Sequence, residues 1–358
     1  MKIHKNRLLI IGSGNIFKKH VSAIQSLKNK FEITGIVEKD PIKINKLKKN
    51  FSFKIYKDIN KALKECSFNI GCVLTDSGSH GRITLKLLKN KKNVIIEKPI
   101  SISLKEAEKI VALEKKEKKL NIFVVKQNRF NVAIINLKKA IEKKKLGKIF
   151  LATIRVRWKR DSNYYRSAKW RGKWETDGGV LCNQAIHHID LLQWLVGDVN
   201  KVFSMNERVL APIEAEDTSA SVIKFKNGAT GIIEATTACR PNNLEGSLSL
   251  LGTKGTVIVG GYSADKIIEW SFVNKKYNTK INKYLNLENP KNVDAYGHFK
   301  FYEYVNNYMK KKNKYNFLNA SEAIKSLKIV TALTKSSLNK KVVKMNENLY
   351  KTKLGKKN

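Results

Sequence analysis

The sequence predicts an α/β chain of two domains. The first is a doubly wound parallel sheet, and the second is an α+β domain built on a mostly antiparallel open sheet. Three observations carry this. Through the first 125 residues short apolar runs alternate with helical patterns, and such alternation builds a parallel sheet flanked by helices. From Lys148 onward the pattern changes to alternating strands joined by short polar turns such as Lys226-Asn227-Gly228, which pair antiparallel. Finally, a chain of 358 residues that is 42% hydrophobic has apolar content for two cores, at about 100–200 residues per domain. The expected boundaries are 1–125 and 126–345, followed by a basic tail, 346–358, expected to be disordered from Tyr350 onward.

The elements follow in order. Arg7-Leu8-Leu9-Ile10-Ile11 reads as a strand, Gly12-Ser13-Gly14-Asn15 as a turn, and Ile16 to Leu27 as a helix with Ile16, Val21, Ile24 and Leu27 on its apolar face. A helix start offers free N–H groups and a positive dipole end to a pyrophosphate. The two glycines let the backbone turn tightly and approach the ligand. Phe17 replaces the third glycine of the dinucleotide fingerprint, at a position that serves helix–strand packing. The next strand, Glu32 to Val37, ends in Glu38, about where an acid meets the ribose hydroxyls. A carboxylate there repels a 2′-phosphate, so NAD is expected rather than NADP, although Lys39 beside it blunts the discrimination. Asp40-Pro41 opens a lysine-rich helix. Phe53 to Ile55 and Asn69 to Thr75 are further strands. The second runs into Thr75-Asp76-Ser77-Gly78-Ser79-His80, a small polar turn against which a nicotinamide or ribose can lie, with His80 starting the next helix as a cap or cofactor contact. Asn93-Val94-Ile95-Ile96 is a buried strand stopped by Glu97-Lys98-Pro99, because proline has no N–H to continue the ladder. Lys98 is thereby fixed at the carboxyl end of a central strand, where open α/β sheets bind ligands. Ser103 and Glu106 form a capping-box pattern for the following helix, and Asn121 to Val125 closes the sheet.

After Lys126-Gln127-Asn128-Arg129-Phe130 a helix is expected to run to about Lys145, where Gly147 breaks it. Strands are expected at 148–159, 201–209, 217–226, 229–237, 246–251, 256–260 and 266–273. Between the first two lies the run Tyr164-Tyr165-Arg166-Ser167-Ala168-Lys169-Trp170-Arg171-Gly172-Lys173-Trp174, then Asp177-Gly178-Gly179 and one helix, Val180 to Val196, stopped at Gly197. The aromatic and arginine run suits either an anionic, ring-bearing small molecule or stacked RNA bases. The Asp-Gly-Gly turn and the histidine helix favour the first. On that helix Asn183 and His187 are four apart and share a face. A histidine beside a fixed amide can take a proton from a hydroxyl near neutral pH. His188 and Asp190 with Cys182 match no zinc spacing, so no metal is expected.

Lysine and arginine number 71 against 30 acids, a net charge of +41. The basic residues are spread over many segments rather than gathered in an aromatic-laced patch, so solvated faces are expected and no nucleic acid or membrane partner. Four widely spaced cysteines without a C-x-x-C fit free thiols in a reducing cytoplasm. No signal-like leader and no run of about 18 apolar residues is present, so a cytoplasmic location is expected.

Together, the Gly12-Ser13-Gly14 turn, the Glu97-Lys98-Pro99 strand end and the Gly178-Gly179…His187-His188-Ile189-Asp190 segment resemble the Gfo/Idh/MocA family of nicotinamide-dependent sugar oxidoreductases. The resemblance covers nearly the whole chain. It implies a Rossmann domain, an open sheet used for substrate and oligomer contacts, and NAD as cofactor. It also implies Lys98 and His187 as the catalytic pair, the histidine as general base and the lysine polarising the reacting oxygen. The implied cofactor contacts are Gly12, Gly14, Asn15, Ile16, Glu38, Thr75, Ser77, His80, Glu97, Lys98, Gln127, Trp170 and Arg171. The implied substrate contacts are Lys98, Arg129, Tyr165, Arg166, Asn183, Gln184 and His187. Polyol dehydrogenases of the family carry Asp one turn before the histidine, where this chain has Asn183. With Lys126–Phe130 and Trp170–Trp174, the run Asn183-Gln184-Ala185-Ile186-His187 resembles the branch that oxidises UDP-N-acetylglucosaminuronate at C3 for surface-polysaccharide synthesis. An aspartate would repel an anionic sugar, whereas an amide can donate to its carboxylate. The rival expectations are a dehydrogenase of a free sugar or inositol, and a non-catalytic nucleotide- or RNA-binding protein on a Rossmann scaffold.

Overall fold

The computed structural model describes residues 5–278, 288–291, 293, 295–313 and 315–356. It divides into two compact units. The first holds residues 1–101, 105–127 and 291–324. Its six-stranded sheet is wholly parallel and comprises β1 (Asn6–Ile11), β2 (Phe31–Val37), β3 (Ile55–Tyr56), β4 (Ile70–Val73), β5 (Asn93–Ile96) and β6 (Ile122–Val124), in the order β3-β2-β1-β4-β5-β6. The order reverses between β1 and β4, and such a switch point is where an open α/β sheet leaves a crevice for a ligand. Leu8, Leu9, Ile10, Val94, Ile95 and Ile96 are fully buried, as continuous apolar strands covered on both faces should be.

Helices α1 (Phe17–Gln25), α2 (Pro41–Asn50), α3 (Ile59–Glu65), α4 (His80–Lys89) and α5 (Leu104–Lys116) connect these strands. Asp40 caps α2 through bonds from the Ile42 and Lys43 N–H groups, as its place before Pro41 requires. The segment 291–324 departs from the contiguous second domain expected from sequence. The Val124 N–H donates to the Leu318 carbonyl and the Asn316 side chain to the Ile122 carbonyl, so this segment covers the open edge of β6. α10 (Tyr296–Met309), within it, buries Phe301 and Tyr302 and packs on α1.

The second unit holds 102–104, 128–290 and 325–358. It contains α6 (Val132–Glu142), α7 (Ser162–Arg166), α8 (Val180–Asn183), α9 (Ile186–Val196) and α11 (Ala320–Asn339), the last starting in the first unit. Its eight-stranded sheet comprises β7 (Ile149–Arg157), β8 (Val199–Glu207), β9 (Thr218–Phe225), β10 (Thr230–Thr236), β11 (Glu245–Gly252), β12 (Gly255–Gly260), β13 (Lys266–Phe272) and β14 (Val343–Lys344). The order is β13-β12-β11-β7-β10-β9-β8-β14, antiparallel except for the parallel β7–β10 pair. Ala152, Ile154 and Val156 point into the core, where α9 packs on β7 and β11, and Arg155 and Arg157 point outward to Glu234.

Two further expectations are corrected. The helix expected over 180–196 is broken at Gln184-Ala185 into α8 and α9. The residues following the last strand are packed rather than disordered. Leu349, Thr352 and Leu354 are buried and the Gly355 N–H donates to the Trp174 carbonyl. Leu354 lies against Gly178, at φ +70°. Residues 357–358 of that tail lie outside the described residues.

Candidate active site

In the first unit the site begins at the β1–α1 turn. Gly12 has φ +94°, and a Cβ there would come within 3.0 Å of the Leu74 backbone. Only glycine keeps the strand end and the turn this close. Around Gly14 a Cβ would meet nothing, so that side of the turn is open. α1 starts at Phe17 after Asn15 and Ile16 with no side-chain cap and no acid in its first turn, an arrangement left for an anionic ligand. Phe17 is buried and packs edge-on against Phe51, which explains why a glycine is dispensable there. Glu38 accepts from the Ser13 N–H at 2.9 Å, the Ser13 hydroxyl at 2.5 Å, and the Lys39 and Asp40 N–H groups. Burial pushes its carboxyl up, but these donors outweigh that and hold it below the usual range. It is thus an ionised acid on the glycine turn, as recognition of ribose hydroxyls requires. The open turn, the uncapped helix and this acid fit the dinucleotide.

Thr75 and Ser77 lie in the turn after β4, which Asp76 caps by accepting from the Ser79 N–H and hydroxyl. His80 does not reach outward. It is 1% exposed, its Nδ1 2.7 Å from the Pro99 carbonyl and its Nε2 3.1 Å from the Thr75 carbonyl. It therefore ties this turn to the lysine strand end, and the expected cofactor contact is corrected to a positioning role. Glu97 is corrected likewise. Its carboxylate is buried and meets His20 Nε2 at 3.0 Å, His298 Nε2 at 3.6 Å and the Lys98 N–H at 3.1 Å. His20 Nδ1 continues to the Tyr302 hydroxyl at 2.8 Å, and Cys72 Sγ lies 3.4 Å from the same hydroxyl. Burial raises the Glu97 carboxyl, yet the two histidines overcome it and leave it well below its ordinary value. Lys98 is half-buried beside this fixed carboxylate. Gln127 opens a short 3-10 turn, Gln127–Phe130.

In the second unit His187 is half-buried on the first turn of α9. The α8–α9 break keeps Asn183, Gln184 and His187 in close succession. The Asn183 side-chain amide donates to Asp177 Oδ1, and Asp177 Oδ2 accepts from the Gly172 N–H at 2.6 Å. One donor of Asn183 is therefore engaged inside the protein, a correction to its expected use on a substrate carboxylate. Gln184 Nε2 donates to the Tyr164 hydroxyl at 3.2 Å, and Arg171 Nη1 to the same oxygen at 2.5 Å. The Arg171 guanidinium lies 4.1 Å from the Tyr164 ring centre and 4.7 Å from that of Trp170. Arg160 covers Tyr164 from another side at 5.1 Å.

Arg129 and Tyr165 are corrected outright. Arg129 is 2% exposed and forms a two-pronged pair with Asp190, both bonds 2.8 Å, under Trp194. Tyr165 is buried with its hydroxyl on Thr237 at 2.8 Å, and packs on Ala211 and Ile213. Neither can face a substrate. Arg166 is exposed and donates to Asn163. His188, next to the candidate base, is fully buried, with burial lowering it to about 4.

Sequence reasoning missed Glu216, and it named Tyr164 and Asp177 within the functional runs without giving either a role of its own. Tyr164 adjoins Tyr165 in the same run, and helical periodicity about Asp161, which caps α7, marks which of the two turns inward. Glu216 sits under α8: its backbone carbonyl accepts from Val180 and its Oε1 from the Leu181 N–H.

The family model described as the oxidoreductase family's NAD-binding Rossmann fold matches residues 6–125, and the model of its C-terminal alpha/beta domain matches 138–345. The WlbA dehydrogenase from Bordetella pertussis, solved in complex with NADH and UDP-GlcNAcA, is similar with a TM-score of 0.91 and 32% identity, over 97% of this chain and 100% of that one. A WlbA dehydrogenase from Chromobacterium violaceum, solved with the same two ligands, has a TM-score of 0.89 and 30% identity over 96% and 97%. Myo-inositol 2-dehydrogenase of Thermotoga maritima is 24% identical over 236 residues, which is 64% of this chain and 67% of that protein.

Proposed function

Because this chain belongs to the Gfo/Idh/MocA oxidoreductase family and is an NAD-dependent sugar or polyol dehydrogenase, we propose that it oxidises a secondary hydroxyl of a nucleotide-linked hexuronate, at C3 of a UDP-linked N-acetylhexosaminuronate. The observation that carries the reading is the likeness, over 97% of the chain, to a dehydrogenase solved with NADH and UDP-GlcNAcA. The α8 face agrees with it. Asn183 is an amide where an aspartate would set a second negative charge against Asp177, and Gln184 and Arg171 meet on the Tyr164 hydroxyl beside it, which leaves this face less hostile to an anionic sugar.

In this reading the substrate hydroxyl passes its proton to a ring nitrogen of His187. The Lys98 ammonium stabilises the charge that builds on that oxygen as the C–O bond becomes a carbonyl. Bound NAD supplies the acceptor for the hydride lost from the same carbon. Glu97, held by His20 and His298, fixes the backbone of Lys98. Glu38 and the glycine turn hold the dinucleotide.

A free sugar or inositol is the second reading, favoured by the inositol dehydrogenase relative. The test is NADH formation from NAD with UDP-N-acetylglucosaminuronate, myo-inositol and glucose in parallel, after the bound cofactor content has been measured. Turnover of the nucleotide sugar alone is expected, and turnover of a free polyol alone overturns the substrate assignment. The family resemblance also implies a homo-oligomer. Phe203, Met205, Val222, Ile232 and Ile268 are exposed on the outer face of the eight-stranded sheet, and sedimentation velocity tests whether copies share it.

A further inference from the structure

The second unit carries a cleft of about 730 Å3 between two loops, and of the site residues expected from sequence only Arg171 lines it. Arg171 and Lys173 form one rim. Arg208, Leu210, Pro212 and Glu214 form the other. With 71 basic residues against 30 acidic ones, many cations necessarily lack a carboxylate. Two features set these apart. Arg171 Nε is buried with no hydrogen-bond partner, a desolvated donor left uncompensated inside the rim, which is an unusual cost for a guanidinium to carry. Three cations also converge on one concavity, and none of them forms an ion pair within the described residues.

The cleft is built in advance. Fully buried Asp217 accepts from the Val209, Leu210 and Ala211 N–H groups at 2.9, 2.8 and 2.7 Å, which fixes the shape of the second rim. Asp177 holds Gly172 in the first rim. The Glu214 and Ala215 N–H groups donate to the Gly172 carbonyl and stitch the rims together. Arg208 donates to the Ile213 carbonyl at 2.9 Å and so stands along its own loop. A volume of this size suits a small-molecule ligand rather than a lone ion.

We propose that this cleft seats the nucleoside diphosphate end of the substrate, an inference that rests on the nucleotide-linked reading above. The diphosphate lies across Arg171, Lys173 and Arg208, whose forked and pointed donors suit phosphate oxygens. The base lies on the apolar shelf of Leu210 and Pro212, and the Glu214 carboxylate accepts from ribose hydroxyls.

The experiment is calorimetric titration of the full chain with UDP, with uridine and with NAD, for the wild type, Lys173→Ala and the Lys173→Ala/Arg208→Ala pair. The Lys173 side chain has no partner among the described residues, so its removal is expected to leave the fold intact even where loss of Arg208 loosens a loop. UDP affinity is expected to fall about ten-fold in the single variant and about a hundred-fold in the pair, with NAD affinity unchanged and uridine much weaker than UDP. UDP held equally by all three proteins overturns the cleft while leaving the proposed function standing, since turnover of UDP-N-acetylglucosaminuronate is measured separately. A wild type that binds no UDP and oxidises only a free polyol overturns the proposed function and the cleft with it. Loss of NAD affinity with UDP unaffected gives these cations to the cofactor and overturns the substrate assignment.

Discussion

At the scale of single residues, Lys98 and His187 are only half-buried, as are Asn183 and Arg171. His20, His80, His188, Glu97 and Arg129 are spent inside the protein. Burial lowers His20 and His80 from their ordinary values, so they stay neutral and hold geometry. Lys98→Ala and His187→Ala are expected to lower kcat by about 10²–10⁴-fold with the unfolding midpoint unchanged, since each group acts mainly in the transition state. Steady-state rates beside a thermal melt check this, and near-normal rates in both variants would end the role assignment. Arg129 makes the opposite prediction. Arg129→Met takes the two-pronged partner from the buried Asp190 carboxylate, and should cost about 3–5 kcal/mol of stability, read from denaturant unfolding. A variant of normal stability with a raised KM would instead restore Arg129 to the substrate.

At the scale of elements, the short helix α8 depends on an acid beneath it. Glu216 Oε1 accepts from the Leu181 N–H, and its Oε2 is buried without a partner. Burial, with Asp177 and Asp217 adding repulsion, raises its carboxyl to about 7. A group raised in the folded state contributes stability that is complete below its unfolded value, near 4.5, and is lost as pH climbs through the folded value, near 7. Glu216→Gln removes that loss. The variant should match the wild type near pH 4.5 and exceed it at pH 8 by on the order of 3 kcal/mol. Urea midpoints across this window decide it, and parallel curves for the two proteins would mean that Glu216 does not titrate there. The same acid explains why the 180–196 helix is not continuous. Glu216 and Asp177 bind the start of α8 and its last residue, Asn183, while the Ala185 N–H reaches back to Val180, five residues earlier, which resets the helix before His187.

At the scale of the whole molecule, a net charge of +41 sets an electrostatic cost on compactness. Salt screens such repulsion over about 10 Å at 0.1 M. The thermal midpoint is therefore expected to rise on going from about 10 to about 200 mM sodium chloride, while any anionic substrate binds more weakly. A midpoint that falls with salt would show that pairs such as Arg157–Glu234 and Arg155–Glu234 outweigh the repulsion. No helix among the described residues is long and apolar enough to cross a membrane.

By itself the sequence determined what depends on local pattern. The parallel sheet follows from apolar runs alternating with helical periods, the glycine turn from the close approach at Gly12, the place of Lys98 from Pro99, and the antiparallel character of the second sheet from its alternation and polar turns. These are short-range constraints of sterics and period, and they leave their mark within a few residues. The tertiary structure alone decided which polar residues face outward. Tyr164 and Tyr165 are neighbours in the chain, yet Thr237, 72 positions from Tyr165, takes that hydroxyl, while Arg171 and Gln184 take the hydroxyl of Tyr164. Arg129 is buried because Asp190 lies across from it, and Glu97 because His20 and His298 arrive from helices far apart in sequence. Residues 291–324 pack on the first unit because β6 has an open edge to cover. Each of these outcomes is a pairing between distant segments, and a charge or hydroxyl in a sequence does not record which partner will reach it.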